Sequence, residues 1–588
     1  MKNINAILTF MLVATSTLVQ SITPYYSIRS QGANAARHLV GLTDYLFKLD
    51  VVRPYGTITI TPEYTRTFNP PHITNCLFGG NCIKISGSGV ANRGKTDWLA
   101  DYFYLPSDFE SVVHFRPVID NFLVDFGFYL GLDQWTPGLY FMAHAPVVQS
   151  RWDLGLCEKH IIRGVQPHPE GLFTPLEFNR GDMLKDFSAY LQGEQAGPLE
   201  QIFDPTGENK KFLIVMQQLK NAKISNCRLK KSRVADLRAA LGWNFLRDDY
   251  HIGFNFQIAA PIGNRPKGKY LFEPIIGNGH HWEVGGNINA HYTMWNNHDE
   301  TKKIGLYFDA NITHLFRTTQ KRTFDLKNNG PFSRYMLAEE LGTPIESNLK
   351  GDGITPSAQF KNEFAPVANL TNINVAVSSA LQADVVLMAN FTGECFSFDI
   401  GYNLWARTCE KICPIGPNVF TSNTTWALKG DARVFGFASA DDLVDPTLVE
   451  DEPVALSATQ SNATINSGLN KTNLVNAEID SPQLATAGGS DTALNNKTGV
   501  GAAQINTSIQ PVFIQESDLA FCEGRTRGLS SKFFAHLSYT GRERHDWIPH
   551  IGLGGEIEID HHKCMDTGCL TCNPSQWGLW IKMGFSFE

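Results

Sequence analysis

The chain has 588 residues, with 50 Lys and Arg against 58 Asp and Glu, which gives a net charge of −8. This acidic balance excludes nucleic acid as an expected partner, because binding to a phosphate backbone depends on clustered cations. A soluble chain of this length is expected to divide into several domains. One large β-barrel with long loops accommodates the same length without domain boundaries. The 50 glycines and the 38 Phe, 17 Tyr and 11 Trp residues suit strands, tight turns and aromatic girdles.

The N-terminal region predicts an exported protein. Residues 1–21 begin with Lys2 and continue in an apolar run from Ile4 to Val19, a pattern typical of a secretory signal peptide. Beyond it, no stretch of about eighteen apolar residues predicts a transmembrane helix. Residues 22–53 include a helix-like spacing and are predicted to form an N-terminal helical segment or plug, ahead of a domain over 54–588.

Alternation of apolar with small or polar residues is the dominant pattern of the chain. In residues 121–133 every second residue is large and apolar, over a length that suits a tilted membrane-spanning strand better than a soluble one. Thirteen such strands are clear: 56–68, 121–133, 139–152, 235–245, 251–258, 282–295, 304–316, 385–391, 396–407, 424–437, 533–539, 548–560 and 578–588. Bacterial barrels normally have an even number. We therefore expect a missing strand near 512–521, for about 14 strands in a range of 12–16.

Connections between these strands alternate in length. Short turns follow residues 133, 246, 295, 391 and 540, while the other connections are long, as in barrels with periplasmic turns and extracellular loops. The long loop over 151–232 has helical spacing at 183–192 and 211–223, which predicts a small helical insertion. Residues 439–510 are rich in Ser, Thr and Asn, which predicts a disordered insertion. The fold class is therefore all-β, a transmembrane antiparallel up-and-down barrel.

The last strand carries the most specific signal. In residues 578–588 the large apolar residues lie on one face, which belongs against lipid, and small or polar residues lie on the other. The order Lys582-x-Gly584-Phe585-x-Phe587 resembles the C-terminal assembly signal of bacterial outer-membrane β-barrel proteins, with one extra residue, Glu588, after the final aromatic. The resemblance implies a bacterial outer-membrane location at the cell surface, and lipid and the barrel-assembly machinery as partners.

The predicted inward face is polar and favours a porin-like channel for passive diffusion of small hydrophilic solutes. Acidic side chains outnumber basic ones there, which predicts a mild preference for cations. The predicted pore-lining residues are Glu63, Asp125, Tyr129, Asp236, Arg238, His251, Asn255, Gln257, Glu283, Asn287, Asp309, Asp399, Arg407, Lys429, Arg433, Lys532, His536, Glu556 and Glu558.

Eleven cysteines in an exported chain favour disulfides. Proximity in sequence suggests the pairs Cys76–Cys82, Cys157–Cys227 and Cys409–Cys413. In the loop before the last strand, histidine and cysteine side chains are ligand types that suit zinc. An oxidising compartment favours disulfides between those cysteines instead. That weak metal candidate comprises His561, His562, Cys564, Cys569 and Cys572. We predict no resident metal and no cofactor.

Other functions stay open at this stage. A surface adhesin or host-interaction protein could use the barrel as a scaffold for its cysteine-rich loops. A transporter of hydrophobic solutes would need an apolar inner pocket, which the polar inward face does not favour. A barrel hydrolase is not favoured either, because no nucleophile, histidine and acid are brought together by the sequence and no nucleophile-elbow motif is present. The apolar outer face fits either homotrimer contacts or plain lipid.

Overall fold

The computed structural model describes residues 22–46, 54–204, 207, 209–247, 249–299, 301–342, 358–437, 452–457, 459–468, 511–543, 545–561, 564–565 and 569–587. The predicted signal peptide over 1–21 and most of the predicted disordered insertion lie outside these residues. The part of that insertion within them, residues 452–468, contains a strand at Pro453–Ala455 and buries Leu456 and Ile465. The prediction of disorder is therefore wrong for this part, because its apolar residues pack against the rest of the chain.

Twelve long strands form the membrane-spanning part of the described residues. In chain order they are β1 Gly56–Thr67, β2 Val118–Gly131, β3 Leu139–Asp153, β4 Asp236–Leu246, β5 Tyr250–Pro261, β6 Glu283–Asn296, β7 Lys303–Arg322, β8 Ile373–Thr392, β9 Phe396–Arg407, β10 Thr526–Thr540, β11 Trp547–Asp560 and β12 Gln576–Phe587.

These strands close into a ring. Each pairs antiparallel with its neighbours in the chain, and β1 also pairs with β12 through the register Thr59↔Gly584. The longest connection, residues 408–525, joins β9 to β10, which pair through Asp399↔His536. Because every strand has two partners, the ring has no exposed edge and satisfies its backbone groups internally.

The two faces of the ring differ in chemistry. Large apolar side chains on the outer face are exposed, for example Phe122, Leu241, Ile288 and Leu553, whereas the inward positions between them are buried and mostly polar. An apolar exterior around a polar interior is the arrangement of an outer-membrane β-barrel. Among the described residues, no helix is both long enough and apolar enough to cross a membrane.

The ring has short turns at one end and long connections at the other. Residues 132–138, 247–249, 297–302, 393–395 and 541–546 form the short end, which we assign to the periplasm. The ring has twelve strands rather than the fourteen expected. The difference arises between β9 and β10, where the predicted strand at 424–437 and the expected one near 512–521 are both absent from the barrel.

The long connections fold together into an extracellular cap with its own apolar core. A five-stranded sheet combines Leu199–Phe203, Lys210–Met216, Leu337–Gly342, Gln359–Pro366 and Trp426–Leu428; a four-stranded sheet combines Cys82–Ser86, Trp98–Leu99, Glu110–His114 and Cys157–Ile162. Shorter strands are Leu229–Val234 and Glu410–Pro414 beside the barrel, Phe435–Phe437 paired with Pro453–Ala455, and Cys564–Met565 paired with Cys569–Thr571. The described part of the cap also contains three short α-helices, at Pro70–Phe78, Phe187–Gln192 and Val367–Thr371. It has short 3-10 helices at Ala100–Phe103, Arg180–Asp182, Lys327–Asn329, Ser333–Tyr335 and Glu516–Asp518.

Lys429 and Arg433, both predicted to line the pore, lie in this cap instead. The strand Trp426–Leu428 pairs with the cap strand Leu337–Gly342, and Gly430 then turns the chain with a φ of +56° that ends any extended run. Lys429 is fully buried, donates to the carbonyl of Ala432 and lies 4.3 Å from the centre of the Phe173 ring. Burial lowers the pKa of its ammonium group to about 8.

The helical insertion is smaller than predicted. The first predicted helix is present as Phe187–Gln192, with the Asp186 side chain accepting from the Ala189 amide at its N-terminus. The second, over 211–223, is wrong because residues 210–216 form a strand that pairs with Leu199–Phe203. Ile214 and Met216 are buried on one face of this strand, as a period of two residues requires. In so short an apolar run, the sequence alone does not distinguish a strand period of two from a helical period of 3.6.

Two disulfides join distant parts of the cap, and both differ from the predicted pairs. Cys76 is bonded to Cys572, and Cys409 is bonded to Cys569. Proximity in sequence is a poor guide here because the barrel brings its first and last strands together, and with them the loops that carry Cys76 and Cys572. The pairs with Cys82 and Cys413 and the pair Cys157–Cys227 are therefore wrong, since Cys82, Cys157, Cys227 and Cys413 are free and exposed.

The disulfides also exclude the weak zinc candidate. Cys569 and Cys572 have no thiolate to offer a metal, because both sulfurs are bonded. The ring of His561 contacts the Ser531 hydroxyl, with its Nε2 atom 2.7 Å from that oxygen. His562 and the side chain of Cys564 lie outside the described residues.

Candidate functional site

The barrel lumen is the candidate functional site, and most predicted pore-lining residues face it. Apart from Lys429 and Arg433, each lies at an inward position of a barrel strand. These are Glu63, Asp125, Tyr129, Asp236, Arg238, His251, Asn255, Gln257, Glu283, Asn287, Asp309, Asp399, Arg407, Lys532, His536, Glu556 and Glu558. They do not line an open pore, because another part of the chain occupies the lumen.

That part is residues 22–46, here named the lumen segment. It begins in the cap, where the Thr23 amide donates to the Cys76 carbonyl. It contains two short helices, Ala35–Leu39 and Thr43–Leu46, and reaches the periplasmic end, where the Tyr129 hydroxyl donates to the Leu46 carbonyl at 2.5 Å. The segment therefore passes through the full length of the barrel before β1 begins.

Arg37 anchors the segment to one side of the wall. Its guanidinium donates to the carboxylates of Glu63 and Asp125 and to the Gln31 carbonyl, and only 2% of the residue is exposed. Charge-assisted hydrogen bonds of this kind are strong, and a buried guanidinium needs such partners to offset its lost hydration. Arg37 is thus the main buried cation that the segment places against β1 and β2.

Arg29 makes the corresponding anchor on the opposite side. It donates to Asp384 at 2.6 Å and to Asn403 at 3.0 Å, and one of its nitrogens lies 3.7 Å from Glu558. Asp384 also accepts from the Ala35 amide at 3.1 Å, which places a carboxylate at the start of the first lumen helix. One wall carboxylate therefore binds both a side chain and the backbone of the segment.

Lys582 of the last strand holds the end of that helix. Its ammonium donates to the carbonyls of Arg37, His38 and Val40, at 2.8, 3.1 and 2.7 Å. A cation at a helix C-terminus is favourable because the last carbonyls have no partner within the helix. Gly41 follows with a φ of +66°, and its amide donates to Asp399 at 2.8 Å.

Beside the segment lies a cavity of about 100 Å³ with two different walls. The barrel side is rich in amides linked by hydrogen bonds, such as Gln257 to Asn311 at 3.0 Å and Asn255 to the Tyr140 hydroxyl at 3.1 Å. The segment side contributes aliphatic groups, including Leu39 and Leu42. The cavity is large enough for several water molecules or a small polar solute.

Some polar atoms of the amide wall have no hydrogen-bond partner among the described residues. They include the Thr57 hydroxyl and the side-chain oxygen of Asn255, both of which belong to residues that line the cavity. Buried polar atoms are normally paired, so such atoms favour the presence of water or a polar ligand in the cavity. An apolar solute would leave them unsatisfied.

Several residues of the site escaped the sequence analysis. Arg29 and Arg37 lie in the predicted N-terminal helical segment or plug, but its helix-like spacing does not indicate which side chains contact a barrel wall. Asp384 lies just before the predicted strand at 385–391. It continues the alternation of that strand on the inward face. Lys582 was assigned to the assembly signal alone. A search for charges on inward positions throughout each extended strand would have found Asp384 but not the two arginines.

Comparisons with known proteins find remote likenesses to solved structures. No protein-family model matches the chain, and no curated protein matches it. A solved outer-membrane channel from Pseudomonas putida F1 is 9% identical with a TM-score of 0.29, covering 93% of this chain and 98% of that one. A FadL homologue from Pseudomonas aeruginosa is 6% identical with a TM-score of 0.25, covering 91% and 90%. The transport unit of the autotransporter AIDA-I from Escherichia coli is 8% identical with a TM-score of 0.24, covering 96% and 100%. At these values the likeness assigns neither a family nor a solute.

Proposed function

We propose that this protein is an outer-membrane channel for small hydrophilic solutes, closed at rest by its own lumen segment. The observation that carries the proposal is the polar character of the contacts between segment and wall. Arg29, Arg37 and the backbone amides of Ala35 and Gly41 all bind wall carboxylates. Water can replace such contacts when the segment moves, whereas a plug held mainly by apolar packing would be far costlier to hydrate.

Apolar contacts at three places along the segment oppose this movement. Leu39 and Val40 of the segment pack with a small cluster on the wall that includes Val386, Met388 and Trp580. Near the cap, Tyr26 and Ile28 of the segment belong to the apolar core of the cap. At the periplasmic end, Leu46 packs against a cluster of three tyrosines. Between these two ends the segment is held by one short apolar patch and a longer series of polar contacts, and this central part suits a gate better than a permanent core.

The charge of the lumen predicts its selectivity. When the segment is displaced, Glu63, Asp125 and Asp384 lose the cations that Arg29 and Arg37 bring to them. Lys532, by contrast, stays on the wall beside Glu556 at 2.8 Å. The open lumen would therefore carry excess negative charge and favour cations mildly over anions.

The proposal is tested by recording single channels of the purified full-length protein in a planar bilayer with a salt gradient. We expect discrete openings separated by long closed periods, and a reversal potential whose sign shows that cations pass more readily than anions. The closed periods follow from the occupied lumen and the sign of the potential from the wall carboxylates. A folded, heat-modifiable barrel that never conducts, or one whose openings favour anions, would contradict the proposal.

A second candidate function is binding by the cap. The observation that favours it is the size of the extracellular cap, which has its own apolar core and two disulfides. A channel gate alone does not require such a structure. On this alternative the barrel is a scaffold and the lumen segment a permanent core. The same recordings distinguish the two, because a scaffold would show no openings whether or not the cap is intact.

A further inference from the structure

Three side chains that can bind metal meet in the lumen, one from the segment and two from the wall. His38 lies in the first lumen helix, Asp125 on β2 and His144 on β3. The His38 Nε2 atom is 3.2 Å from the Asp125 Oδ2 atom, and the His144 Nδ1 atom is 3.6 Å from the same oxygen. One ligand atom from each residue lies within 4.8 Å of the others.

This spacing suits a tetrahedral ion. Zinc binds imidazole nitrogen and carboxylate oxygen at about 2.0–2.2 Å, so neighbouring ligand atoms around it lie about 3.4 Å apart. The two distances to Asp125 fall on either side of that value. The His38 and His144 rings are stacked, with centres 3.7 Å apart and planes at 12°, so the two rings would have to turn toward the carboxylate for the three atoms to share one ion. Water would then take the fourth position.

The same atoms lack hydrogen bonds. Within the part of the chain that the structure describes, the His38 Nε2, His144 Nδ1 and Asp125 Oδ1 atoms are buried and have no hydrogen-bond partner. Asp125 and His144 are 3% and 9% exposed, and His38 and His144 also line the cavity beside the segment, so their partner is either cavity water or a bound cation. A bound cation would satisfy all three groups at once.

Neighbouring charges permit a divalent ion. Arg37 is the closest competing cation, 3.3 Å from the Asp125 Oδ2 atom, but it is also paired with Glu63. Together Arg37, Glu63 and Asp125 carry a net charge of −1. The Asp125 oxygen nearest both imidazoles is Oδ2, which Arg37 also contacts, so a metal bound there would share this oxygen with the guanidinium. The Oδ1 atom has no hydrogen-bond partner among the described residues and is free to take part in either contact.

We propose that His38, Asp125 and His144 bind a divalent transition-metal ion of the zinc class, which ties the lumen segment to the barrel wall. Two imidazoles and one carboxylate are a ligand set suited to Zn²⁺ and its neighbours rather than to Ca²⁺ or Mg²⁺. The binding itself does not depend on the protein being a channel, so its test is separate from the test of conduction. If the protein is a channel, the ion would stabilise the closed state, because one ligand belongs to the segment and two to the wall.

The test uses Co²⁺ as a spectroscopic substitute for Zn²⁺ on the folded full-length protein in detergent, after chelation and alkylation of free thiols. We expect visible absorption bands that saturate at one Co²⁺ per chain and disappear when Zn²⁺ is added. His38→Gln and His144→Gln are expected to weaken Zn²⁺ binding at least about 100-fold, because replacement of supporting residues around a site already costs 10- to 100-fold.

His291→Gln is the matched control, because His291 is a second inward-facing histidine whose ring is stacked on another, that of His251, at 5.4 Å. The control is expected to bind Zn²⁺ as tightly as the unaltered protein. Asp125→Asn provides a second variant of the site, and heat-modifiable migration shows that each variant is folded. Equal Zn²⁺ affinity in the unaltered protein, His38→Gln and His144→Gln, or an equal loss in His291→Gln, would overturn the proposal.

Discussion

Deletion of residues 22–46 is expected to raise the single-channel conductance of the barrel by roughly an order of magnitude, because water and ions gain the space that the segment fills. The wall should survive, since all twelve strands and their pairing lie beyond residue 55. The deleted protein is expected to stay open for most of a recording. Its reversal potential in a salt gradient should show a stronger cation preference than the rare openings of the full-length protein.

The deletion removes Arg29 and Arg37 together with the backbone amides that bind wall carboxylates. Heat-modifiable migration on a gel serves as the control for folding. A folded deletion variant with the same small conductance as the full-length protein would show that the cap, and not the segment, closes the lumen. A folded variant that does not conduct would favour the scaffold interpretation.

Arg37→Ala is expected to have the largest effect of any single substitution in the segment. Removing one partner of a buried ion pair costs about 3–5 kcal/mol, because the remaining carboxylates stay buried without a cation. Glu63 and Asp125 are 2% and 3% exposed, so both would be affected. At about 1.4 kcal/mol for each factor of ten, the population with an undocked segment should rise at least about 100-fold.

The effect is measured as open probability in planar bilayers, and independently as cleavage of the segment by protease added to the periplasmic side. Arg66→Ala is the matched control, because Arg66 also lies 3.5 Å from a carboxylate, that of Asp120, but its side chain is 46% exposed. An exposed pair contributes about 0–1 kcal/mol, so this variant should behave like the parent protein. Equal open probabilities for the two variants would contradict the assigned role of Arg37.

The barrel could be predicted from the sequence because a membrane imposes a strict period of two on every strand. Inward and outward residues of the last strand, such as Lys582 and Phe585, have the orientations that alternation predicts. The same rule produced the one false strand, since residues 424–437 also alternate, yet Gly430 bends the chain into the cap. Periodicity reports local geometry and cannot tell a barrel strand from a cap strand. The role of residues 582–587 as an assembly signal stays a prediction.

The contacts that define the site could not be predicted in the same way. Each depends on residues far apart in the chain, as in the ion pair of Arg29 with Asp384 or the disulfide of Cys76 with Cys572. Local patterns carry no information on such pairs, and this holds for the lumen segment too. Its helical character was visible from residues 35–48, but the side chains that bind the wall were not.

The claim that the lumen segment closes the channel is tested most directly by fixing the segment in place. Ser27 lies in the segment near the cap, and its hydroxyl oxygen is 2.8 Å from that of Thr526 at the extracellular end of β10. The double variant Ser27→Cys and Thr526→Cys should form a disulfide in a background with the free cysteines changed to serine. Because β1 already holds the other end, the cross-linked segment cannot leave the lumen. We predict that oxidation abolishes the openings and reduction restores them, while the two single variants conduct under both conditions. Openings of unchanged size and frequency in the fully cross-linked protein would contradict the account.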